Sequence, residues 1–390
     1  MIYLDYAATT PTDARVLEAM RPFFSDQFGN PSSTHAYGQQ AEAAVETSRE
    51  IVAEILGCRP GEVVFTSCGT EADNLALRGS AIAMRARKGA NRLVLSHAEH
   101  PAVSKTAEAL ERWLGFEVRW IEATADGTIT PDAVAGAIDD KTAVVSVMYA
   151  NNEIGTINPI REIGEICRAR SVPFHTDAVQ AAAYLPVDVE ALAVDLLALG
   201  AHKLYGPKGV GALYVRSGTD LVPHLTGGGQ EFGLRSGTQN VPYIVGLAAA
   251  LRLAEKERIA RIDHVMPLRN RLIGAVLESA TDVRLTGHLE RRLPNHASFV
   301  FLGADGNLLA NLLNARGFAC SSGSACKTGS PEPSDVMEAI GLPRDWGLGS
   351  LRLTLGTGTT AEDIDGVLRA LPESLEKARS LHTYRSGASR

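Results

Sequence analysis

From about residue 45 to residue 215 short apolar runs alternate with helix-like stretches, and this alternation limits the chain to few architectures. Val63-Val64-Phe65 is followed by a helix signal from Glu71. Arg92 to Leu95 is followed by one from Pro101, a residue suited to a first helical turn. Ala143 to Met148 is a third apolar run, residues 161–170 carry a helical pattern, and Val172-Pro173-Phe174 and Asp195 to Leu199 read as further strands. Such β-α order predicts an α/β fold: a large domain with a mostly parallel sheet, helices on both faces, and ligands at the carboxyl ends of its strands. A helix over about 240–258 leaves this unit. The C-terminal remainder reads as a smaller α+β domain with strands at Ala297 to Leu302 and Leu351 to Leu355. The expected division is 13–258 for the large domain and 1–12 with 259–390 for the small one. The polar, glycine-bearing end from His382 is expected to fray.

Composition narrows the function classes. With 45% hydrophobic and 21% charged residues the 390-residue chain can bury a large core. A net charge of −7 argues against direct nucleic-acid binding, which needs a basic face. No apolar run approaches the ~20 residues that span a bilayer, and Met1 to Tyr6 lacks the pattern of a secretory signal, so a cytoplasmic, membrane-free protein is expected. Five cysteines without a CxxC pair exclude a disulfide framework and a resident metal set. They fit a reducing compartment where one thiol can do chemistry.

Three strand ends carry chemistry. Lys203 lies between the apolar run 195–199 and the turn Gly206-Pro207-Lys208-Gly209, and Asp177 closes the run Phe174-His175-Thr176. A Lys for a Schiff base and a carboxylate for a pyridinium nitrogen are what pyridoxal 5'-phosphate requires. Taken singly, each reads better as a surface Lys and a capping Asp. The third end, Ser67-Cys68-Gly69-Thr70-Glu71, offers Gly69 for close backbone approach and a helix start for a phosphate, with plain capping by Thr70 as the rival. Asn151-Asn152 follows a strand and its amides suit a ring hydroxyl, although Asn-rich turns are common. His100 opens the Pro101 helix; as a lone His it reads better as structural. Gly227-Gly228-Gly229 and Arg235-Ser236-Gly237-Thr238 suit close backbone approach or a subunit contact. Arg352 on an apolar strand matches a carboxylate, from a substrate or from an internal ion pair.

The segment Cys320 to Pro331 is dominated by small residues. Cys326 inside it is the preferred nucleophile, with Lys327 beside it to favour the thiolate. Cys320 reads as a strand end, and Cys58, Cys68 and Cys167 as core or near-core residues.

Together these segments resemble the group I pyridoxal-phosphate-dependent cysteine desulfurases, of the class V aminotransferase superfamily with the fold type I architecture. The likeness runs from Tyr3 to Pro11 through Gly29-Asn30-Pro31-Ser32-Ser33, Thr70 to Asn74, Glu99-His100, Asn151 to Gly155, Asp177 to Gln180, His202-Lys203 and Arg235 to Thr238, to Ser321 to Cys326 and Leu351 to Leu353. The resemblance implies that Lys203 forms the Schiff base, Asp177 pairs the ring nitrogen, and Gln180 and Asn152 meet the ring hydroxyl. It gives the phosphate to Gly69, Thr70 and His202, with Thr238 reaching across a homodimer interface. His100 stacks on the ring and moves protons, and Asn30 and Arg352 fix the carboxylate of L-cysteine. Cys326 takes the sulfur as a persulfide and passes it to an acceptor, an iron-sulfur scaffold or a tRNA-thiolation carrier; with a scaffold it can transiently ligate a cluster. Two positions depart from the family pattern: Gly200 replaces a frequent Ser, and Cys68-Gly69-Thr70 replaces Gly-Ala-Thr. A selenocysteine lyase or another class V enzyme is the alternative activity, and a non-catalytic scaffold the alternative class.

Overall fold

The computed structural model describes residues 1–323 and 332–388, the last seven of these by backbone only. Twelve strands occur among them: β1 Ile2–Tyr3, β2 Val63–Thr66, β3 Arg92–Ser96, β4 Glu117–Ile121, β5 Thr142–Ser146, β6 Phe174–Asp177, β7 Leu196–Gly200, β8 Gly211–Val215, β9 Val283–Leu285, β10 His296–Phe301, β11 Phe318–Ala319 and β12 Ser350–Thr354. The main sheet has the order β2-β8-β7-β6-β5-β3-β4. β8 runs antiparallel to both neighbours, and the other pairs are parallel. The central strands β5 and β7 are buried at every residue, as strands with helices on both faces require.

The helices are cut by local chemistry. Gly69–Lys88 begins two residues before the Glu71 that marks it in the sequence and stops at Gly89, which has a left-handed φ of 69°. Pro101–Leu114 starts on Pro101 with His100 as its cap. The strand expected at 172–174 is instead β6; Val172 and Pro173 precede it.

The helix expected to end near 258 runs from Val241 to Ser279, 39 residues. Pro267 lies inside it, and the helical backbone continues past it. This helix therefore passes through the expected division into the C-terminal unit. There β9, β10 and β12 form an antiparallel sheet in the order β12-β10-β9. β1 pairs in parallel with β11, and Asp5 bridges to Thr354. The last helix spans Ala361–Ala388, so its pattern persists where fraying is expected.

Candidate active site

The carboxyl ends of β6 and β7 open onto a cavity of about 350 Å³. Its wall includes Gly69, Thr70, His100, Asn152, Asp177, Gln180, His202, Lys203 and Arg352, nine residues singled out from the sequence. Lys203 ends a short 3-10 turn, Ala201–Lys203, directly after β7. Tyr205 beyond it is held at φ 63°, a conformation that a bulky residue keeps only when its surroundings over-determine it. Here its amide donates to Thr10 Oγ1 at 2.8 Å and its hydroxyl accepts from Thr357 N at 2.9 Å.

The N-terminal segment forms one wall. Lys203 Nζ donates to the carbonyl oxygens of Ala7 and Ala8, both at 2.6 Å. Gln180 Nε2 donates to Ala7 O at 2.8 Å, and His202 Nδ1 lies 3.2 Å from Thr9 Oγ1. No periodicity or charge marks Ala7 and Ala8 as site residues, because their contribution is backbone.

Asp177 accepts from the Val179 amide at 2.8 Å. Burial pushes its carboxyl above the ordinary range, while His100 and Lys203 pull it back. His100 uses Nδ1 to accept from Ala102 N at 3.1 Å, which leaves Nε2 for other work. Burial and the Lys203 charge hold this imidazole below its ordinary range, against the pull of Asp177. Burial likewise takes His202 down to about 4.

The helix Gly69–Lys88 points its N-terminus at the cavity with Cys68, not Thr70, at the cap position and no side-chain cap bond. A Cβ on Gly69 would stand 2.7 Å from Val179 Cγ2, so a side chain there would require Val179 to shift. Val179 also lies 3.2 Å from where a side chain on Gly200 would begin, so it fills the room that a Ser at that departure from the family pattern would use.

Asn151 and Asn152 divide. Asn151 Oδ1 accepts from the amides of Glu153 and Ile154, the turn role, whereas Asn152 Oδ1 is buried without a hydrogen-bond partner. Arg352 makes an internal ion pair: Nη2 donates to Asp5 Oδ1 at 2.8 Å and Nη1 to Asn152 O at 2.8 Å, leaving Nε buried and unpaired.

Asn30 and Thr238 stand outside this cavity within the single chain. Asn30 is exposed and its Oδ1 accepts from Ser32 N at 3.0 Å. Thr238 is exposed near Arg235, whose Nε donates to Glu71 Oε1 at 2.8 Å. That glycine-rich stretch is pinned by a fully buried pair, Arg49 Nη1 to Glu231 Oε2 at 2.7 Å.

Cys326 lies outside the described residues. Gly323, the last described residue before it, lines the cavity, as do Ser334, Asp335 and Val336 after it. Burial pushes the thiols of Cys58, Cys167 and Cys320 up to about 12. Asp73 and Glu99, acids without a role assigned from the sequence, also line the cavity, as do Glu153 and Asp335. The only signal in sequence is position: Glu99 precedes His100, and Asp73 lies about one helical turn after Thr70.

A mostly parallel sheet with a lysine and a carboxylate at neighbouring strand ends, facing a helix N-terminus, defines a class of protein. The aminotransferase class-V family profile matches residues 2–367, and the chain belongs to that family. Within it the chain falls among the cysteine desulfurases. It is 44% identical to the cysteine desulfurase IscS of Dictyoglomus turgidum over 98% of this chain and 97% of that one. It is 45% identical to that of Methanosarcina thermophila over 97% and 93%. Among solved structures, a NifS-like protein superposes with a TM-score of 0.89 at 37% identity, covering 96% of this chain and 99% of that one. SspA in complex with cysteine superposes with a TM-score of 0.79 at 35% identity, covering 92% and 100%.

Proposed function

We propose that this chain is a pyridoxal-phosphate-dependent cysteine desulfurase that converts L-cysteine to L-alanine and delivers the sulfur to an acceptor protein. The observation that carries the reading is the meeting of Lys203, Asp177 and the open helix start at Gly69 in one cavity, beside the unpaired Oδ1 of buried Asn152. These groups fit the cofactor: Lys203 for its aldehyde, Asp177 for its ring nitrogen, Asn152 and Gln180 for its hydroxyl, and Gly69, Thr70 and His202 for its phosphate, with Thr238 supplied by a second copy. When bound, the cofactor supplies the electron sink for removal of the substrate α-proton.

The residues of the chain do the rest. Asp177 keeps the ring nitrogen protonated. His100, with Nδ1 occupied by Ala102 N, holds or moves a proton at Nε2. Arg352 and Asn30 receive the substrate carboxylate; the fork of Arg352 is oriented by Asp5. The thiolate of Cys326 attacks the substrate sulfur. The carbon–sulfur bond breaks, Cys326 retains the sulfur as a persulfide, and the carbon takes a proton to leave as alanine. In the sequence only Ser324 and Ala325 lie between Gly323 and Cys326. An iron-sulfur scaffold is the first acceptor to consider and a tRNA-thiolation carrier the second.

Borohydride reduction followed by peptide mass spectrometry tests the reading: a pyridoxyl adduct is expected on Lys203, and its absence refutes the proposal. Cys326→Ser is expected to keep the cofactor absorbance and lose sulfide release.

A further inference from the structure

Beneath the cavity a buried polar chain crosses from helix to sheet. Asp73, one turn into Gly69–Lys88, places Oδ1 3.4 Å from His175 Nε2. Neither atom has a hydrogen-bond partner by ordinary distance and angle. The other ring nitrogen, Nδ1, lies 2.9 Å from Ser146 Oγ. Asp73 is 1% exposed, and His175 and Ser146 are 0% exposed. His175 stands two residues before Asp177 on β6, so the two side chains share a face of the sheet.

The surroundings decide where the proton resides. Asp177, Glu99 and Cys68 face the Asp73 carboxyl, and His100 and Lys203 lie beyond Asp177. An ionised Asp73 would be a dry charge beside two further carboxyls, and a buried charge left uncompensated is strongly disfavoured. Moving the proton onto His175 would bury two charges in place of none. A carboxylic acid needs only an acceptor for its O–H, and the lone pair of a neutral imidazole at Nε2 provides one; the Nδ1–H then donates to Ser146 Oγ. The titration tendencies agree: burial and the neighbouring acids drive Asp73 far above the ordinary carboxyl range, and burial drives His175 down to about 3.

We infer that Asp73 stands as a neutral acid hydrogen-bonded to His175 Nε2, and that this pair is a positioning element that spares Asp177 a competing negative charge from behind. The inference rests on the cofactor reading above for its purpose, though not for the position of the proton. Two measurements test it. In cofactor-free protein labelled with 15N-histidine, His175 is expected to show the Nδ1–H tautomer between pH 6 and 9; an Nε2–H tautomer or an imidazolium overturns the inference. In protein loaded with pyridoxal 5'-phosphate, Asp73→Asn keeps an N–H donor without any charge. It is expected to hold the cofactor within about twofold of the parent and to keep the pH midpoint of its absorbance, whereas Asp73→Ala, which removes a buried hydrogen bond, weakens binding about tenfold. An Asn variant as weak as the Ala variant, or with a midpoint displaced by about one pH unit, overturns it. Should Asp73→Ala fail to fold, the tautomer and the Asn variant still decide. Should the parent bind no pyridoxal 5'-phosphate, the functional reading fails and the tautomer measurement stands alone.

Discussion

Arg352, on β12, donates Nη2 to Asp5 Oδ1 at 2.8 Å across the seam between the N-terminal segment and the C-terminal sheet. The orientation of the guanidinium is therefore set by an internal carboxylate. Arg352→Lys keeps the charge but loses the planar fork. With charge-assisted hydrogen bonds worth about 1.5–3 kcal/mol, KM for L-cysteine is expected to rise about 10- to 100-fold. Asp5→Asn is expected to have the same direction and a smaller size. Steady-state kinetics on both variants checks the order; equal KM values for parent and Arg352→Lys would remove Arg352 from carboxylate binding.

The stretch that carries Thr238 hangs on Glu231. Its carboxylate accepts from Arg49 Nη1 and Nη2, from the Phe65 amide at 2.8 Å and from Gln239 Nε2. Removing one partner of such a pair leaves the other charge buried, a loss of about 3–5 kcal/mol. Glu231→Ala is expected to lower the denaturant midpoint accordingly. Glu18→Ala, whose ion pair with Arg21 is exposed on both sides, should leave stability within about 0.5 kcal/mol of the parent.

Thiol reactivity tracks thiolate population. Cys167 and Cys320, held up near 12 by burial, are expected to resist iodoacetamide in the native protein at roughly neutral pH and to react once it is unfolded. Peptide mass spectrometry reads both. Prompt native labelling of Cys320 would reopen it as a nucleophile.

Glu99 gives a signed pH dependence. Burial raises its carboxyl to about 8 despite the Met148 amide that it accepts at 2.8 Å. A raised folded-state value means that the folded protein holds this proton more tightly, so its contribution to stability is full below pH 4.5 and is lost as pH rises through about 8. Glu99→Gln cannot ionise. Cofactor-free Glu99→Gln is expected to melt above the parent at about pH 9, with the gap narrowing as pH falls below about 8 and closing toward pH 4.5. His202, taken down to about 4, acts oppositely: the unfolded chain binds its proton first, so stability falls as pH drops from 6.5 toward 4.

How much of this is legible in the sequence depends on what each residue contributes. Alternating apolar runs reveal the main sheet, because strands buried on both faces must be apolar throughout. Asp177 and Lys203 are legible because their chemistry is in the side chain and their place is a strand end. Ala7 and Ala8 are not, since a carbonyl oxygen leaves no trace in residue type. The helix expected to end near 258 continues to Ser279, because Val265, Leu272 and Val276 carry its buried face onward. Asp73 and His175 are silent for a third reason: their meaning comes from three-dimensional proximity between a helix and a strand far apart in sequence.

The segment around Ala7 leaves the ribosome early, yet its amide donates to Thr354 Oγ1, 347 residues downstream. At about 5–20 residues per second its counterpart is made on the order of 20–70 s later. The tie between the N-terminal segment and the C-terminal sheet can therefore close only after nearly the whole chain has been made, whereas the contacts of Ala7 and Ala8 with Lys203 can form earlier.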